Sequence, residues 1–220
     1  PEENWTWAEF FEICRQVTQD LNGDGKMDQY GVLDYNWRYA MRASGIELFD
    51  KEGGTSFFGD QRVEEAINFL IALQELNQGH VVTSRDFDQG NVAFQPMTYA
   101  EYKTYKPYPW RIKKYSEFEW DCVAMPQKES GMGRTALDTL LMGISSRTKK
   151  ETLAWEFLKE LCYDLETQSQ IPESESGLPV IRQVVEQIQA EDINLEVVRD
   201  AMEKAEPMPH FVGYQDAMEL

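Results

Sequence analysis

The sequence has few of the features that mark membrane, nucleic-acid-binding and secreted precursor proteins. No apolar run approaches the roughly 18 residues of a membrane span, and the chain starts at Pro1 without a stretch of signal-peptide type. Basic residues are scarce, since 21 lysines and arginines stand against 39 acidic residues for a net charge of -18. Such a surface repels nucleic acid and anionic membranes. We therefore expect no nucleic-acid partner and no direct membrane insertion.

Cysteine and histidine are also too sparse to indicate a common catalytic or metal centre. Cys14, Cys122 and Cys162 share no C-x-x-C spacing and are expected to be small buried residues. His80 and His210 lie far apart, and the sequence has neither a G-x-S-x-G elbow nor a phosphate loop. These absences argue against an enzyme.

What the sequence does contain is a pattern of short apolar segments alternating with amphipathic ones. A capping box at T-W-A-E opens the first helix, whose apolar positions recur as far as Leu21. Further helices are predicted at about 35–43, 61–77, 149–163, 180–189 and 196–205, and strands at 31–33, 91–94, 122–125 and 140–144. Residues 171–179 are rich in Pro, Ser and Glu and read as a crossover. This order predicts an α/β protein with helices covering a small sheet.

An acidic loop, T-Q-D-L-N-G-D-G-K-M-D-Q-Y-G at 18–31, has the spacing of an EF-hand-type calcium loop. The candidate oxygen ligands are Asp20, Asn22, Asp24, the carbonyl of Lys26, Asp28 and Gln29. The twelfth position holds Gly31 instead of a bidentate glutamate, and a strand follows in place of a helix. We therefore expect structural Ca²⁺ in a static clamp rather than a sensor. The alternative is that the Asn-Gly and Asp-Gly pairs only make a polar turn.

Aromatic residues beside polar ones form two further groups, at 34–39 and 97–102. Tryptophan and tyrosine offer flat apolar faces with polar rims, which suit the CH faces and hydroxyl edges of sugars. Each aromatic, taken alone, is better explained by core packing. The two groups are therefore candidates for a sugar site only through their joint abundance beside Asp, Asn, Glu and Arg.

The order of the segments resembles the extracellular solute-binding proteins of carbohydrate ABC transporters, the maltose-binding-protein-like family. The resemblance rests on WTWAEFFEICRQVTQDLNGDGKMDQYG, ASGIELFD, FDQGNVAF, DCVAMP, LLMGISSRTKKETLAWEFLKEL and SGLPVIRQVV, which follow one another over nearly the whole chain. In one branch the family carries a calcium loop, with a glutamate where this sequence has Gln29. The resemblance therefore implies weaker calcium binding here than in those relatives.

The resemblance implies a type II periplasmic-binding-protein-like fold of two α/β lobes joined by crossovers, with a sugar held in the cleft between them. Residues 1–117 would form the bulk of the second lobe, 118–170 would return to the first, and 171–220 would supply the crossover and helices of the second. Most of the first lobe is then absent from this chain. The implied function is non-catalytic binding of an oligosaccharide, as the receptor of a membrane permease.

By resemblance, the ligand contacts fall in the segments that follow two predicted strands and near the C-terminal hinge. They are Asp34, Tyr35, Trp37, Tyr99, Glu101 and Tyr214. Trp110 and Trp120 match no family motif and are taken as structural.

Two other functions stay open from the residues alone. A calcium-dependent extracellular adhesion module would use the acidic loop as its interface. A glycoside hydrolase would need two carboxylates about 5–9.5 Å apart across a cleft, and no spacing singles out such a pair. The resemblance implies an extracellular location, as a membrane-anchored lipoprotein or in the periplasm.

Overall fold

The computed structural model describes residues 4–104, 121–137, 139–173, 177–189, 194–207 and 211–218. Its helices are α1 (Trp7–Val17), α2 (Trp37–Ala43), α3 (Gln61–Leu76), α4 (Ser84–Asp88), α5 (Tyr99–Thr104), α6 (Glu151–Tyr163), α7 (Leu165–Ser169), α8 (Arg182–Gln187), α9 (Leu195–Glu203) and α10 (Tyr214–Met218). Its strands are β1 (Tyr30–Val32), β2 (Val92–Phe94), β3 (Thr135–Leu137) and β4 (Ala205–Pro207). The mixture of helices with parallel strands confirms the predicted α/β class.

The start of α1 is fixed by the predicted capping box. The Glu9 carboxylate accepts a hydrogen bond from the Thr6 amide at 2.6 Å, and the Glu9 amide donates to the Thr6 hydroxyl at 3.4 Å. The end of α1 comes earlier than the apolar pattern indicates. The backbone becomes extended at Thr18, and Gln19 then pairs with Gln29, so Leu21 lies in the acidic loop with 60% of its surface exposed.

The strands β1 and β2 form a parallel pair in which Tyr30 lies opposite Val92 and Val32 opposite Phe94. Helix α1 packs closely against this pair. A Cβ added at Gly31 would lie 2.5 Å from the Cβ of Cys14, so only glycine allows the observed distance between α1 and β1. Gly31 is the twelfth position of the acidic loop, and this contact leaves no room there for the glutamate of an EF-hand.

The main core joins α1, α2 and α3. Its buried residues are Trp5, Trp7, Phe10, Cys14, Tyr35, Ala40, Met41, Ala43, Ile46, Val63, Ala66 and Leu73. A second, smaller cluster of Tyr30, Leu33, Phe87 and Val92 lies where α4 meets the β1–β2 pair. The aromatic rings of the main core interlock, as in the stacked pair of Trp7 and Phe69 at 4.2 Å. Several of the aromatics that could have lined a sugar site therefore stabilise the fold.

Two of the predicted strands are wrong. Residues 122–125 and 140–144 are irregular, and Leu140 and Leu141 are 95% and 86% exposed. Strands β3 and β4 instead pair in parallel with each other, Thr135 opposite Ala205. The 140–144 segment has strand-like composition, but the described part of the chain offers it no neighbouring strand, and a strand is stable only when it is paired.

Other expectations are met only in part. Cys14 is buried as predicted, while Cys122 and Cys162 are half-buried. Residues 171–173 of the predicted crossover form a single 3-10 turn. Trp110, Trp120 and His210 lie outside the described residues. In the ranges the structure covers, no helix is both long and apolar enough to cross a bilayer.

Candidate functional site

The carboxyl ends of β1 and β2 define the edge at which most of the predicted ligand residues lie. The strands run parallel, and the Leu33 amide extends the pairing by donating to the Phe94 carbonyl at 2.9 Å. The segments that follow the two strands therefore leave the sheet side by side. In open α/β sheets, ligands bind outside the carboxyl ends of the strands.

Asp34 follows β1 in an unusual backbone conformation. Its φ of 58° places it in the left-handed region, which residues other than glycine rarely adopt, and its side chain is exposed. Two residues later, Asn36 ends the turn by accepting the Arg38 amide at 3.0 Å as the N-cap of α2. Strained positions of this kind cluster at binding sites.

Trp37 is the first residue of α2 and is half-buried against the main core. The guanidinium carbon of Arg38 lies 5.5 Å from the centre of its ring, within the range of a cation–π contact. The indole therefore keeps part of its surface open at the edge while its position is held from two sides.

Tyr35 lies in the core. It is 8% exposed, and its hydroxyl accepts a hydrogen bond from the indole nitrogen of Trp7 at 2.9 Å. Burial raises the pKa of Tyr35 well above its usual value, and the Trp7 hydrogen bond opposes this shift. A ligand contact at Tyr35 stays a prediction, but these contacts give the side chain a structural role.

The segment after β2 carries Tyr99 and Glu101 on α5. The Glu101 carboxylate accepts the Thr98 amide at 2.7 Å, and the Glu101 amide donates to the Thr98 hydroxyl at 3.1 Å, so Glu101 helps to begin the helix. The ring of half-buried Tyr99 lies 5.6 Å from that of buried Tyr102. This contact orients Tyr99 at the surface of α5.

Tyr39 connects the two segments, and it was not among the predicted ligand residues. It is half-buried on α2 and stacks on Tyr35 at 6.1 Å. Burial raises the pKa of Tyr39, and the negative charges of Glu101 and Asp34 raise it further. The phenol of Tyr39 is thus within electrostatic range of two carboxylates that come from the segments after different strands. The ligand roles of Asp34 and Glu101 stay predictions.

Gln95, the first residue after β2, is a second site candidate that the sequence pattern did not indicate. Its side-chain oxygen Oε1 is buried and has no hydrogen-bond donor among the residues the structure describes. Most buried polar atoms in native proteins have a partner. A buried acceptor at the end of a strand is therefore a feature of the site that needs a donor.

Tyr214 belongs to a different group of aromatic residues. As the first residue of α10, it packs edge-on against Phe211 at 5.4 Å and against Phe49 at 6.0 Å. Its known contacts are thus with the loop around Phe49 and not with the strand ends. Its predicted ligand role stays a prediction.

The acidic loop is held by hydrogen bonds from its own backbone. Asp20 accepts the amides of Gly23 at 2.6 Å and Gly25 at 2.8 Å, and Asp28 accepts the amide of Leu21 at 2.9 Å. The Gly25 hydrogen bond, the largest influence, lowers the pKa of Asp20. Gly25 itself has a φ of 85°, which permits the turn.

The donor set of this loop suits a hard cation, because carboxylate, amide and carbonyl oxygens are the ligands that calcium prefers. The Asp24 carboxylate accepts a hydrogen bond from the Lys26 backbone amide at 2.8 Å. The side-chain amide of Asn22 donates to the Asp28 carboxylate at 3.2 Å. Across the described ranges, no three Asp, Glu, His or Cys side chains converge in a metal-binding group. Calcium binding would require these carboxylates to turn inward from the loop amides, and the Gln29 side chain remains a predicted ligand.

Residues 2–161 match the family described as bacterial extracellular solute-binding protein. This match covers most of the chain, including the acidic loop, both strand ends and all but the last two residues of α6. No curated protein sequence matches.

Three solved structures from different bacteria illustrate the similarity of fold. An ABC substrate-binding protein from Listeria monocytogenes, in complex with cycloalternan, is 14% identical with a TM-score of 0.70, over 99% of this chain and 56% of its own. The maltose/maltodextrin-binding domain MalE from Bdellovibrio bacteriovorus, bound to maltotriose, is 19% identical with a TM-score of 0.64, over 100% and 59%. The sugar-binding protein MalE from Xanthomonas citri is 15% identical with a TM-score of 0.74, over 98% and 55%. The chain thus spans little more than half the length of these proteins.

Proposed function

Because the chain belongs to the bacterial extracellular solute-binding protein family, we propose that it binds an oligosaccharide as part of the receptor of an ABC import system. Membership in a family of binding proteins confirms the expectation that it is not an enzyme. Two of the solved structures hold an oligosaccharide, cycloalternan in one and maltotriose in the other. At 14% and 19% identity, these structures support the ligand class proposed for this chain.

The observation that carries the proposal is the parallel pairing of β1 with β2, which places the segments of Asp34 and Glu101 side by side, with both carboxylates acting electrostatically on Tyr39. Carboxylates accept hydrogen bonds from sugar hydroxyls, and an aromatic ring packs against the apolar face of a pyranose. Trp37 adds a second ring at the same edge. Together, the two adjacent strand ends supply both carboxylate acceptors for sugar hydroxyls and aromatic rings for the apolar face of a pyranose.

The proposal can be tested by NMR titration of the labelled protein with maltotriose and cycloalternan. We expect the backbone amides of 33–39 and 95–102 to shift, with weak affinity because the contacts of a second lobe are missing. Trp37→Leu keeps an apolar side chain but removes the aromatic ring, and should weaken binding about ten-fold, or about 1.4 kcal/mol. Trp155→Leu, at an exposed tryptophan on α6, is the matched control. Absence of any shift at the strand ends with either sugar would refute the proposal.

We further propose that residues 118–170 belong to the first lobe of a two-lobed protein, while 1–117 and 171–220 form most of the second. The exposed apolar surface from residue 140 onward supports this division. The start of the range, 124–137, contacts the second-lobe segments through hydrogen bonds to Trp5, Trp7 and Ala43 and through the pairing of β3 with β4. Leu140, Leu141, Leu153, Trp155 and Phe157 are all exposed, and α6 contains no buried residue. Apolar patches of this kind usually mark an interface. In a longer chain that includes the rest of the first lobe, amides 140–144 should become protected from hydrogen exchange; unchanged exchange would contradict the division.

A structural calcium ion in the acidic loop is also our proposal. The side chains of Asp20, Asn22, Asp24 and Asp28, the Lys26 carbonyl and Gln29 would supply oxygen ligands. Calcium would stabilise the connection between α1 and β1, which enters β1 at the end opposite the proposed sugar site. It would neutralise the carboxylates of the loop and would take no part in sugar binding.

Terbium luminescence and calorimetry on the chelated protein test the calcium proposal directly. Gln29→Glu should tighten binding because it adds a charged oxygen next to Asp28. An unchanged affinity would remove Gln29 from the ligand shell, and no binding below millimolar calcium would refute the site itself. Sugar titration with and without chelator also tests the adhesion alternative, in which chelation abolishes binding to a partner.

The cellular setting follows from the same proposal. The family is extracellular, and we propose that the complete receptor delivers its ligand to a membrane permease, held at the membrane as a lipoprotein or free in the periplasm. Transport of the identified sugar should fail in cells that lack the receptor gene and return with its expression.

A further inference from the structure

Gln95 is the group at the sheet edge that neither the fold nor the predicted site accounts for. We propose that its side-chain oxygen accepts a hydrogen bond from a hydroxyl of the bound saccharide, and that this edge selects neutral sugars over acidic ones. This inference rests on the proposed sugar-binding function. It adds a specificity-determining residue and narrows the ligand class.

The position of Gln95 follows from the strand before it. Side chains alternate between faces along β2: Val92 is buried, Ala93 is exposed, and Phe94 packs on the main core. Continuing this alternation places Gln95 on the face of Ala93, which is open. The Phe94 carbonyl still pairs with β1, so Gln95 is the first residue free of the strand and lies at the same edge as Asp34.

The side-chain oxygen of Gln95 is buried without a hydrogen-bond donor among the described residues. Oε1 has thus lost hydration without gaining a hydrogen bond from them. The residue as a whole is still partly exposed. Because the last torsion of glutamine is broad, the amide can turn toward the open face, where a ligand hydroxyl would supply the missing donor.

The chemistry of the neighbours decides the ligand class. Asp34 and Glu101 offer only acceptors when ionised, and Gln95 Oε1 is a third acceptor. These acceptors need donors from the ligand, and hydroxyl groups supply them. A sugar carboxylate or phosphate would instead meet two negative charges against the single positive charge of Arg38, which is already in contact with the Trp37 ring, in a protein whose net charge is -18.

The test compares Gln95→Met with Gln74→Met, an exposed position on α3. Methionine keeps the length of the side chain and removes its polar atoms. We expect Gln95→Met to melt no lower than Gln74→Met without ligand, to bind maltotriose about ten-fold more weakly by NMR titration, and to leave the strand-end pattern of shifts intact. In the unchanged protein, the Gln95 side-chain amide signals should shift with maltotriose and much less with an acidic trisaccharide of galacturonic acid.

The outcomes separate this inference from the function on which it rests. A lower melting temperature for Gln95→Met would reveal an internal partner for Oε1 and overturn the inference. Unchanged maltotriose affinity, or tighter binding of the acidic trisaccharide, would overturn it while leaving sugar binding in place. Failure of the unchanged protein to bind any saccharide would overturn both.

Discussion

Replacing Gly31 with alanine tests the contact that sets the distance between α1 and β1. The new Cβ would lie 2.5 Å from the Cβ of Cys14 and 2.8 Å from its Cα, well inside the 3.4 Å at which ordinary contact begins. The backbone conformation of Gly31 is one that alanine can adopt, because its φ is not in the left-handed region. Any loss of stability therefore reports the contact and not backbone strain.

The expected loss in the free energy of unfolding depends on whether the Cys14 atoms can move away from the new Cβ. Cys14 is 1% exposed in the middle of α1, so its Cα and Cβ cannot retreat unless the helix shifts. Overpacking a core usually costs about 1–3 kcal/mol. We expect about 2 kcal/mol for Gly31→Ala, seen as a drop of about 4–8 °C in melting temperature for a chain of this size. Urea denaturation followed by tryptophan fluorescence measures the same quantity at constant temperature.

Gly59→Ala is the matched control, since a Cβ there meets no atom within 4 Å and the backbone φ is ordinary. It should be neutral or stabilise by about 0.4–1 kcal/mol. If Gly31→Ala unfolds at the same urea concentration as Gly59→Ala, the close packing of α1 on β1 is refuted. The same reasoning predicts that Gly31→Glu destabilises the protein and does not create an EF-hand ligand.

Three further predictions address the site and its acid stability. Tyr35→Phe should lower the free energy of unfolding by about 1–3 kcal/mol, because it leaves the buried Trp7 indole N–H without its acceptor, and should leave sugar affinity unchanged; the reverse pattern would make Tyr35 a ligand residue. Glu101→Gln should lower the pKa of Tyr39, measured by ¹³C-tyrosine NMR, because it removes a nearby negative charge. An unchanged pKa would show that the Glu101 carboxylate does not act on Tyr39. The guanidinium of Arg62 donates to Asp60 and holds the pKa of Asp60 at about 2. Ionised Asp60 therefore adds to the free energy of unfolding above its ordinary pKa of 3.8, and this contribution is lost as the pH falls toward 2. In Asp60→Asn, the free energy of unfolding measured in urea should change less with pH over that interval.

Local signals explain which parts of the fold could be predicted. The capping box fixes the start of α1, and the amphipathic pattern predicts 61–77 where the structure has Gln61–Leu76. Both depend on neighbours within one or two turns. The end of α1 depends instead on the pairing of Gln19 with Gln29 across the acidic loop, and apolar spacing does not contain that information.

The same difference between local signals and long-range contacts applies to the candidate site. Strand ends are visible in the sequence, so Asp34 and Glu101 could be assigned to the segments after two predicted strands. The parallel pairing that brings these segments to one edge could not be predicted, and neither could the aromatic residue beside them. The left-handed turn at Asp34 is followed by Tyr35 in the core, while Tyr39, one helical turn later, is within electrostatic range of both carboxylates. The side to which a side chain points after such a turn is decided by packing, here by the Trp7 hydrogen bond.

The strand predicted at 140–144 shows how composition and structure can disagree for a physical reason. Apolar residues in an extended segment gain stability only from a neighbouring strand and a covering layer, and the described part of the chain supplies neither. The helix that follows, α6, is likewise apolar on one side and buries no residue. Both features fit the division proposed above, in which 118–170 belongs to a first lobe. Under that proposal, the apolar residues of 140–144 and the exposed apolar side of α6 would pack on other elements of the first lobe.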